Sequence, residues 1–229
     1  LSVVFDSYAT GDHRQGRVTV VNQGADARSG LRVRVRTYDL QGRLRDVRDA
    51  DGIGVAPGAA VQAMTIAPGP ADSPVFFVRC ELLAGDGAVL AENLYWQSQQ
   101  PDDVGPPSND AAFDSIQVSW ADMTALNSMP AATLEVSAAA DADDPASVAV
   151  RLHNPTDRIA FFQRAELLAS AGPPETTDEI LPIEYDDNYV TVFPGEHVTI
   201  HGKVPPGGPA PAWVRVSGYN SRPVLAAVR

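Results

Sequence analysis

The chain has 229 residues, 44% of them hydrophobic, and a formal net charge of −12 at pH 7. Such an acidic surface repels phosphate backbones, which argues against nucleic acid as a partner. No apolar run approaches the ~18 residues that a membrane-spanning helix needs, so we expect no membrane segment. The length suits one large β domain or two of about 100–120 residues.

Short segments of alternating apolar and polar residues follow one another through the first half of the chain. The clearest is residues 31–38 (LRVRVRTY), in which three arginines are expected to face water while the apolar residues face inward. Turn signals such as Gly85-Asp86-Gly87 separate the segments. The pattern predicts short β-strands at 17–22, 31–38, 75–83 and 89–96. It also predicts one that follows the turn at 56–58 and ends near residue 66.

The only cysteine of the chain, Cys80, lies in the apolar segment 75–80 (VFFVRC). Alternation places it on the same face as Phe76 and Val78. A lone cysteine cannot form an intrachain disulfide, and this setting predicts a buried structural thiol rather than a nucleophile.

Residues 99–110 (QQPDDVGPPSND) have three prolines and no hydrophobic period, which predicts a linker or surface crossing. A short strand around Ile116, Val118 and Trp120 and a helical turn capped by Asp122 are expected next. We therefore divide the chain into residues 1–98, a linker at 99–130, and residues 131–229.

The second half repeats the pattern of the first. Residues 18–22 (VTVVN) match 148–154 (VAVRLHN), and residues 55–58 (VAPG) match 192–195 (VFPG). Short strands at regular spacing predict an all-β fold of two tandem antiparallel immunoglobulin-like (Ig-like) β-sandwiches joined by a short linker. No segment of about 12 residues shows a helical period, which argues against a helix-rich fold.

The stretch 181–200 (LPIEYDDNYVTVFPGEHVTI) is the most distinctive part of the second half. An alternating strand leads into three polar residues, Asp186, Asp187 and Asn188, which we call the acidic loop. A second strand begins at Tyr189, and the turn Pro194-Gly195 leads into a third.

The acidic loop invites two chemical interpretations. Glycosidases use two carboxylates held ~5–10 Å apart, but Glu184 is expected to point outward and the adjacent Asp186 and Asp187 to diverge. Three oxygen-bearing side chains also resemble part of a calcium cage, although their spacing is not that of an EF-hand. A turn or bulge between two strands fits better, so we predict no catalytic residue, no metal site and no cofactor.

The histidines show no metal-binding spacing and are expected at the surface; they are His13, His153, His197 and His201.

Aromatic residues in the strands raise a second possibility, because aromatic faces stack on sugar rings. Packing in the core or between domains is the better interpretation for most of them. Trp96 and Trp120 flank the linker, and we expect both at the interface between the two modules.

Four stretches together resemble one family: residues 93–98 (NLYWQS), 125–130 (ALNSMP), 181–196 and 214–220 (VRVSGYN). They are similar to the C-terminal region of family 2 glycoside hydrolases, closest to the exo-β-D-glucosaminidase and β-mannosidase group. The resemblance covers nearly the whole chain. Since the sequence begins at Leu1 rather than Met, we also expect an excised C-terminal part of a longer polypeptide.

The resemblance implies a five-domain parent that hydrolyses β-glycosidic bonds with retention, using two glutamates on a catalytic barrel that this chain lacks. The predicted partner is therefore that barrel, with polysaccharide as a possible second partner. The alternatives are a pair of carbohydrate-binding modules and an independent enzyme. The resemblance also implies a secreted or periplasmic location. The residues expected at a binding or interdomain contact are Tyr185, Asp186, Asp187, Asn188, Tyr189, Trp96 and Trp120.

Overall fold

A computed structural model describes residues 1–5, 16–67, 69–100, 102–104, 117–171 and 178–229. The chain divides into two compact units, Leu1–Ser128 and Met129–Arg229, called here the first and second unit. Apart from the 3₁₀ helix Thr124–Ser128, the regular elements of the described residues are β-strands, and the predicted all-β Ig-like fold is confirmed. Across these ranges no helix has the length and apolar character to span a bilayer.

Some predicted features lie outside the described residues. They include His13, Ile116 and, within the linker predicted at 99–130, residues 101 and 105–116. The predicted boundaries at residues 98 and 130 stay predictions. The helical turn predicted after Trp120 is present, and Oδ1 of Asp122 accepts hydrogen bonds from the backbone nitrogen of Thr124 at 2.9 Å and from its hydroxyl at 2.6 Å.

The first unit consists of two antiparallel sheets with the orders β1-β2-β5 and β4-β3-β6-β7, and a short β8-β9 ribbon. Inward-facing residues of the strands form the core, as the alternation predicts; Val33 is fully buried and Val35 is 1% exposed. The strands are β1 (Ser2–Phe5), β2 (Arg17–Val21), β3 (Arg28–Asp39), β4 (Leu44–Val55), β5 (Ala60–Thr65), β6 (Val75–Leu83), β7 (Val89–Ser98), β8 (Asp103–Val104) and β9 (Gln117–Ser119).

Strand β4 was missing from the sequence-based prediction. Five of its twelve residues are charged, most are exposed, and only Ile53 and Val55 are buried, so it lacks a regular alternation of apolar residues. It is held by pairing with β3, where Nε of Arg34 donates to Asp49 at 2.8 Å. The outward arginines of β3 therefore face acidic partners as well as water.

The second unit has two four-stranded antiparallel sheets, β10-β11-β15-β13 and β14-β12-β16-β17. In each unit one sheet, β4-β3-β6-β7 or β14-β12-β16-β17, has the order of the Ig strands C′, C, F and G. The strands are β10 (Glu135–Ala140), β11 (Ser147–His153), β12 (Ala160–Leu168), β13 (Glu184–Tyr185), β14 (Val190–Val192), β15 (His197–Lys203), β16 (Trp213–Gly218) and β17 (Ser221–Ala227).

A buried asparagine recurs at the same corner of both units. In the first unit, Nδ2 of Asn22 donates to the carbonyl of Val55 at 3.4 Å. In the second, Nδ2 of Asn154 donates to the carbonyl of Val192 at 2.8 Å. The matched sequence stretches therefore make the same hydrogen bond, which ties the end of β2 or β11 to the last residue of the strand before the Pro-Gly turn.

Cys80 is fully buried in the core of the first unit and is a free thiol. Burial raises the pKa of this thiol to about 12, and the neighbouring Glu81 adds to the shift. The predicted burial of Cys80 is therefore confirmed, and a raised pKa disfavours the thiolate, which is the reactive form.

Candidate functional site

The acidic loop is bound to the neighbouring strand β15. Oδ1 of Asp186 accepts hydrogen bonds from the backbone nitrogens of His201 at 2.7 Å and Asp187 at 2.8 Å, and its Oδ2 lies 2.7 Å from Nδ1 of His201. Burial alone would raise the pKa of Asp186, but these hydrogen bonds hold it below its ordinary value. The Asp186 carboxylate is thus occupied by hydrogen bonds within the second unit.

The side chain of Asn188 makes two hydrogen bonds to β12 of the kind that the backbone of a pairing strand would make. Its Oδ1 accepts from the backbone nitrogen of Ala165 at 2.8 Å, and its Nδ2 donates to the carbonyl of Ala165 at 3.0 Å. One side chain therefore satisfies both backbone groups of a β12 residue. The interpretation of this loop as a joint between strands fits these contacts.

Tyr185 packs against the core of the second unit. Its hydroxyl accepts a hydrogen bond from the backbone nitrogen of Leu167 at 3.3 Å, and its ring lies so close to Gly202 that a Cβ there would come within 2.8 Å of it. Burial raises the pKa of Tyr185 to about 12.

The structure offers no support for a metal at the acidic loop. Within the described ranges, no three His, Cys, Asp or Glu side chains are grouped so that they could hold an ion. His153 and His197 stack ring on ring with centroids 4.0 Å apart.

Two predicted contact residues, Trp96 and Trp120, belong to the first unit and are exposed by 36% and 64%. The backbone carbonyl of Trp120 accepts a hydrogen bond from Nε2 of Gln100 at 3.3 Å. Their placement at an interface between modules stays a prediction.

The second unit carries a continuous line of four aromatic rings, which we call the aromatic row. Ring centroids are 5.6 Å apart between Tyr189 and Phe162, 5.1 Å between Phe162 and Phe161, and 5.7 Å between Phe161 and Tyr219. Phe161 is buried, whereas Phe162, Tyr189 and Tyr219 are exposed by 38%, 51% and 50%. The row is therefore an exposed apolar surface with a buried anchor.

A bulge in strand β12 creates the row. Ala160 pairs with Val192 and Gln163 with Val190, so two residues of β12 lie opposite Thr191 alone. The extra residue places the adjacent Phe161 and Phe162 together at the bulge, where Phe161 is buried and Phe162 is exposed. Phe162 has a backbone φ of 56°, in the left-handed region that bulky residues rarely adopt.

Hydrogen bonds from the β16–β17 hairpin fix the bulge. Oδ1 of Asn220 accepts from the backbone nitrogen of Phe161 at 2.9 Å, and its Nδ2 donates to the carbonyl of Ile159 at 2.7 Å. Gln163 is fully buried and donates to the carbonyl of Phe161 at 2.9 Å. Gly218 leaves room for the Gln163 amide in this position, because a Cβ at residue 218 would lie 2.0 Å from it.

Two charged residues of β12, Arg164 and Glu166, form a paired cluster with Arg215 and Glu179. Glu166, which is 4% exposed, binds Arg215 through two bonds, with Nε donating to Oε2 at 2.7 Å and an η nitrogen to Oε1 at 2.8 Å. Arg164 contacts Oε1 of Glu166 at 3.0 Å and also binds Glu179. The Arg215 hydrogen bond is the main reason that the pKa of Glu166 lies below its ordinary value of 4.5.

The sequence pattern points to Tyr189 but not to Phe162. Residues 159–168 were interpreted as a regular strand, in which one of two adjacent phenylalanines must face water. The pair Phe161-Phe162 followed by Gln163 breaks the period of two, and that break is the signal by which a bulge could have been found.

Replacing Tyr189 by glycine is expected to leave the free energy of unfolding of the chain within about 0.5 kcal/mol of the unchanged protein. Tyr189 has a φ of 56°, so glycine relieves ~1 kcal/mol of strain, which offsets the lost ring contact and the entropy of glycine. Tyr185→Ala is the contrasting variant, with an expected loss of ~2 kcal/mol. Urea unfolding measures both, and equal losses would contradict this assignment.

The two units define a tandem of Ig-like β-sandwich domains. Residues 113–221 match the family described as the exo-beta-D-glucosaminidase Ig-fold domain. Residues 113–221 thus belong to this Ig-fold domain family, and the resemblance of the chain to exo-β-D-glucosaminidases that the sequence motifs predict is confirmed.

Relatives of known activity match both units. An exo-beta-D-glucosaminidase of Amycolatopsis orientalis is 30% identical over 217 residues, which cover 91% of this chain and 20% of the relative. One from Streptomyces avermitilis is 31% identical over 219 residues, covering 89% and 23%. A solved complex of the Amycolatopsis orientalis exo-chitosanase with PNP-beta-D-glucosamine has a TM-score of 0.79 and 26% identity, over 98% of this chain and 26% of that one. The chain thus spans about a fifth to a quarter of the length of these relatives.

Proposed function

We propose that the chain is a non-catalytic, accessory part of a retaining glycoside hydrolase that acts on β-linked glucosamine. It packs on the catalytic barrel of the same polypeptide and stabilises it. The observation that carries the proposal is the match of both units, in sequence and in fold, to one segment of exo-β-D-glucosaminidases. A secreted or periplasmic location is part of the proposal, by resemblance to those enzymes.

The chemistry of the second unit supports an accessory role. A glycosidase needs one carboxyl group to protonate the leaving group and a second to act as nucleophile or base. The carboxylates around the acidic loop and the aromatic row are used otherwise: Asp186 binds His201, and Glu166 binds two arginines. The exposed rings are suited to contact rather than to proton transfer.

The 229-residue chain is expected to show no turnover of p-nitrophenyl β-D-glucosaminide, whereas the longer polypeptide that contains it hydrolyses that substrate. Release of p-nitrophenol measures both, with the β-D-mannoside as the matched substrate. A longer polypeptide that cleaves the mannoside in preference would contradict the proposed specificity. Turnover that scales with the concentration of the purified chain would contradict a non-catalytic role.

A further inference from the structure

We propose that the aromatic row is the docking surface by which the second unit binds an apolar surface of the catalytic part of the same polypeptide; this rests on the proposed function. Among the described residues of the second unit, which leave out 172–177, five large hydrophobic residues are exposed, and three of them belong to the row. They are Phe162, Tyr189, Tyr219, Leu181 and Leu225. Grouped exposed apolar side chains mark interaction surfaces, whereas scattered ones are ordinary.

Two of these exposed rings belong to residues with an unfavourable backbone conformation. Phe162 and Tyr189 both have a φ of 56°, and a left-handed conformation is unfavourable for residues with a Cβ. The bulge and the side chains of Asn188 and Asn220 impose this conformation. A fold that maintains strain in order to expose two aromatic rings points to a use for those rings outside the unit.

Polar groups near the row argue against a sugar as the occupant. Binding of a hydroxyl-rich ligand needs side-chain donors and acceptors that converge on it. Both amide atoms of Asn188 and of Asn220 bind backbone groups, and those of Gln163 bind Phe161 and Ser221. The Tyr189 and Phe162 rings are also inclined by 51°, so they form no flat platform for a pyranose ring.

Charges beside the row are balanced within the second unit. Arg164 and Arg215 are matched by Glu166 and Glu179. A paired cluster needs no strongly charged partner, which favours a neutral, apolar protein surface. Tyrosine, phenylalanine and arginine side chains are also enriched at the centres of protein interfaces.

The rest of the polypeptide is the occupant that the comparisons favour. In the relatives, about four-fifths of the length lies outside the segment that this chain matches. A partner on the same polypeptide is present at a high effective concentration, so a surface of ordinary interdomain size is enough to hold it. A second copy of the chain has no such advantage.

Cysteine labelling tests the docking surface. Tyr189→Cys and Tyr219→Cys place a thiol at two positions of the row, and Ser137→Cys is the matched control, exposed on the other sheet in β10. Cys80 is buried and stays silent. Each variant is made in the 229-residue chain and in the longer polypeptide, and maleimide labelling of the relevant peptide is followed by mass spectrometry. We expect labelling at both row positions to be at least ~10-fold slower in the longer polypeptide, with the control unchanged.

Equal labelling rates in the two proteins, or a control that is slowed as much as the row positions, would overturn the proposal. Slowing in the 229-residue chain when chitosan oligomers are added would assign the row to sugar, and slowing at higher chain concentration would assign it to a second copy; either result also overturns it. Labelling uses no substrate, so it can fail or succeed independently of the glucosaminidase assay.

Discussion

Replacing Glu166 by alanine is expected to destabilise the second unit by ~3 kcal/mol. Glu166 is 4% exposed and holds Arg215 through two hydrogen bonds, while Arg164 shares the same carboxylate. Its removal takes from the 15% exposed side chain of Arg215 the carboxylate to which it makes two hydrogen bonds. A desolvated guanidinium that has lost its partner costs several times more than a surface ion pair contributes.

The control for this prediction is Glu184→Ala, because Glu184 is exposed on β13 at the sheet edge and should change stability by less than ~0.5 kcal/mol. Hydrogen exchange followed by mass spectrometry measures each unit separately, so the loss should appear in the second unit alone. A loss below ~1 kcal/mol for Glu166→Ala would contradict the assigned role.

The same carboxylate gives a pH dependence with a definite sign. The pKa of Glu166 is lowered in the folded protein, chiefly by the Arg215 hydrogen bond. Its contribution is therefore complete above the ordinary value of 4.5 and is lost as the pH falls through the lower, folded value. Glu166→Gln cannot ionise, so the stability difference between it and the unchanged protein should be constant at neutral pH and shrink below about pH 4.5. A difference that grows on acidification would refute this linkage.

Asn154→Ala is also expected to cost ~3 kcal/mol in the second unit. Asn154 is fully buried, and its Nδ2 donates to the carbonyls of Arg158 at 2.6 Å and Val192 at 2.8 Å. Its Oδ1 accepts from the Thr156 hydroxyl at 2.6 Å. Alanine leaves a buried carbonyl without its partner, and each such group costs about 1–3 kcal/mol.

Thr156→Ala is the control variant. It removes the hydroxyl that binds Asn154 but keeps both hydrogen bonds from the Asn154 amide to backbone carbonyls. We expect a loss below ~1 kcal/mol for it. For a unit of this size, ~3 kcal/mol corresponds to a fall in Tm of more than about 10 °C. Calorimetry gives that shift, and similar Tm values for the two variants would show that the asparagine does not hold this corner.

Much of the fold could be predicted from local pattern. Alternation in residues 31–38 identifies β3, and the matched asparagines before the two Pro-Gly turns identify the repeated corner. Strand β4 could not be predicted in this way. It is charged and exposed, and its strand form depends on pairing with β3, which lies beside it only in the folded unit.

The candidate site was predicted only in part. The sequence predicts a contact at Tyr185, the acidic loop and Tyr189 together, and which of these residues make it stays a prediction. In the folded unit, Asp186 and Asn188 are used to join strands, whereas Tyr189 and the unpredicted Phe162 are exposed. Adjacent residues of a loop cannot be sorted into these roles by sequence alone, since the sorting depends on which strand lies next to them.

Local signals in the sequence by themselves determined the sandwich class and the family that this protein resembles. These signals are the period of two, the turn residues and the motifs at 93–98, 181–196 and 214–220. Such signals are local, and each strand carries its own. Tertiary structure alone decided which polar groups are satisfied and which rings remain in solvent. Asn188 binds a residue 23 positions away and Asn220 one that is 61 positions away. The bulge that carries Phe162 is held by hydrogen bonds from the side chain of Asn220 to Phe161 and Ile159.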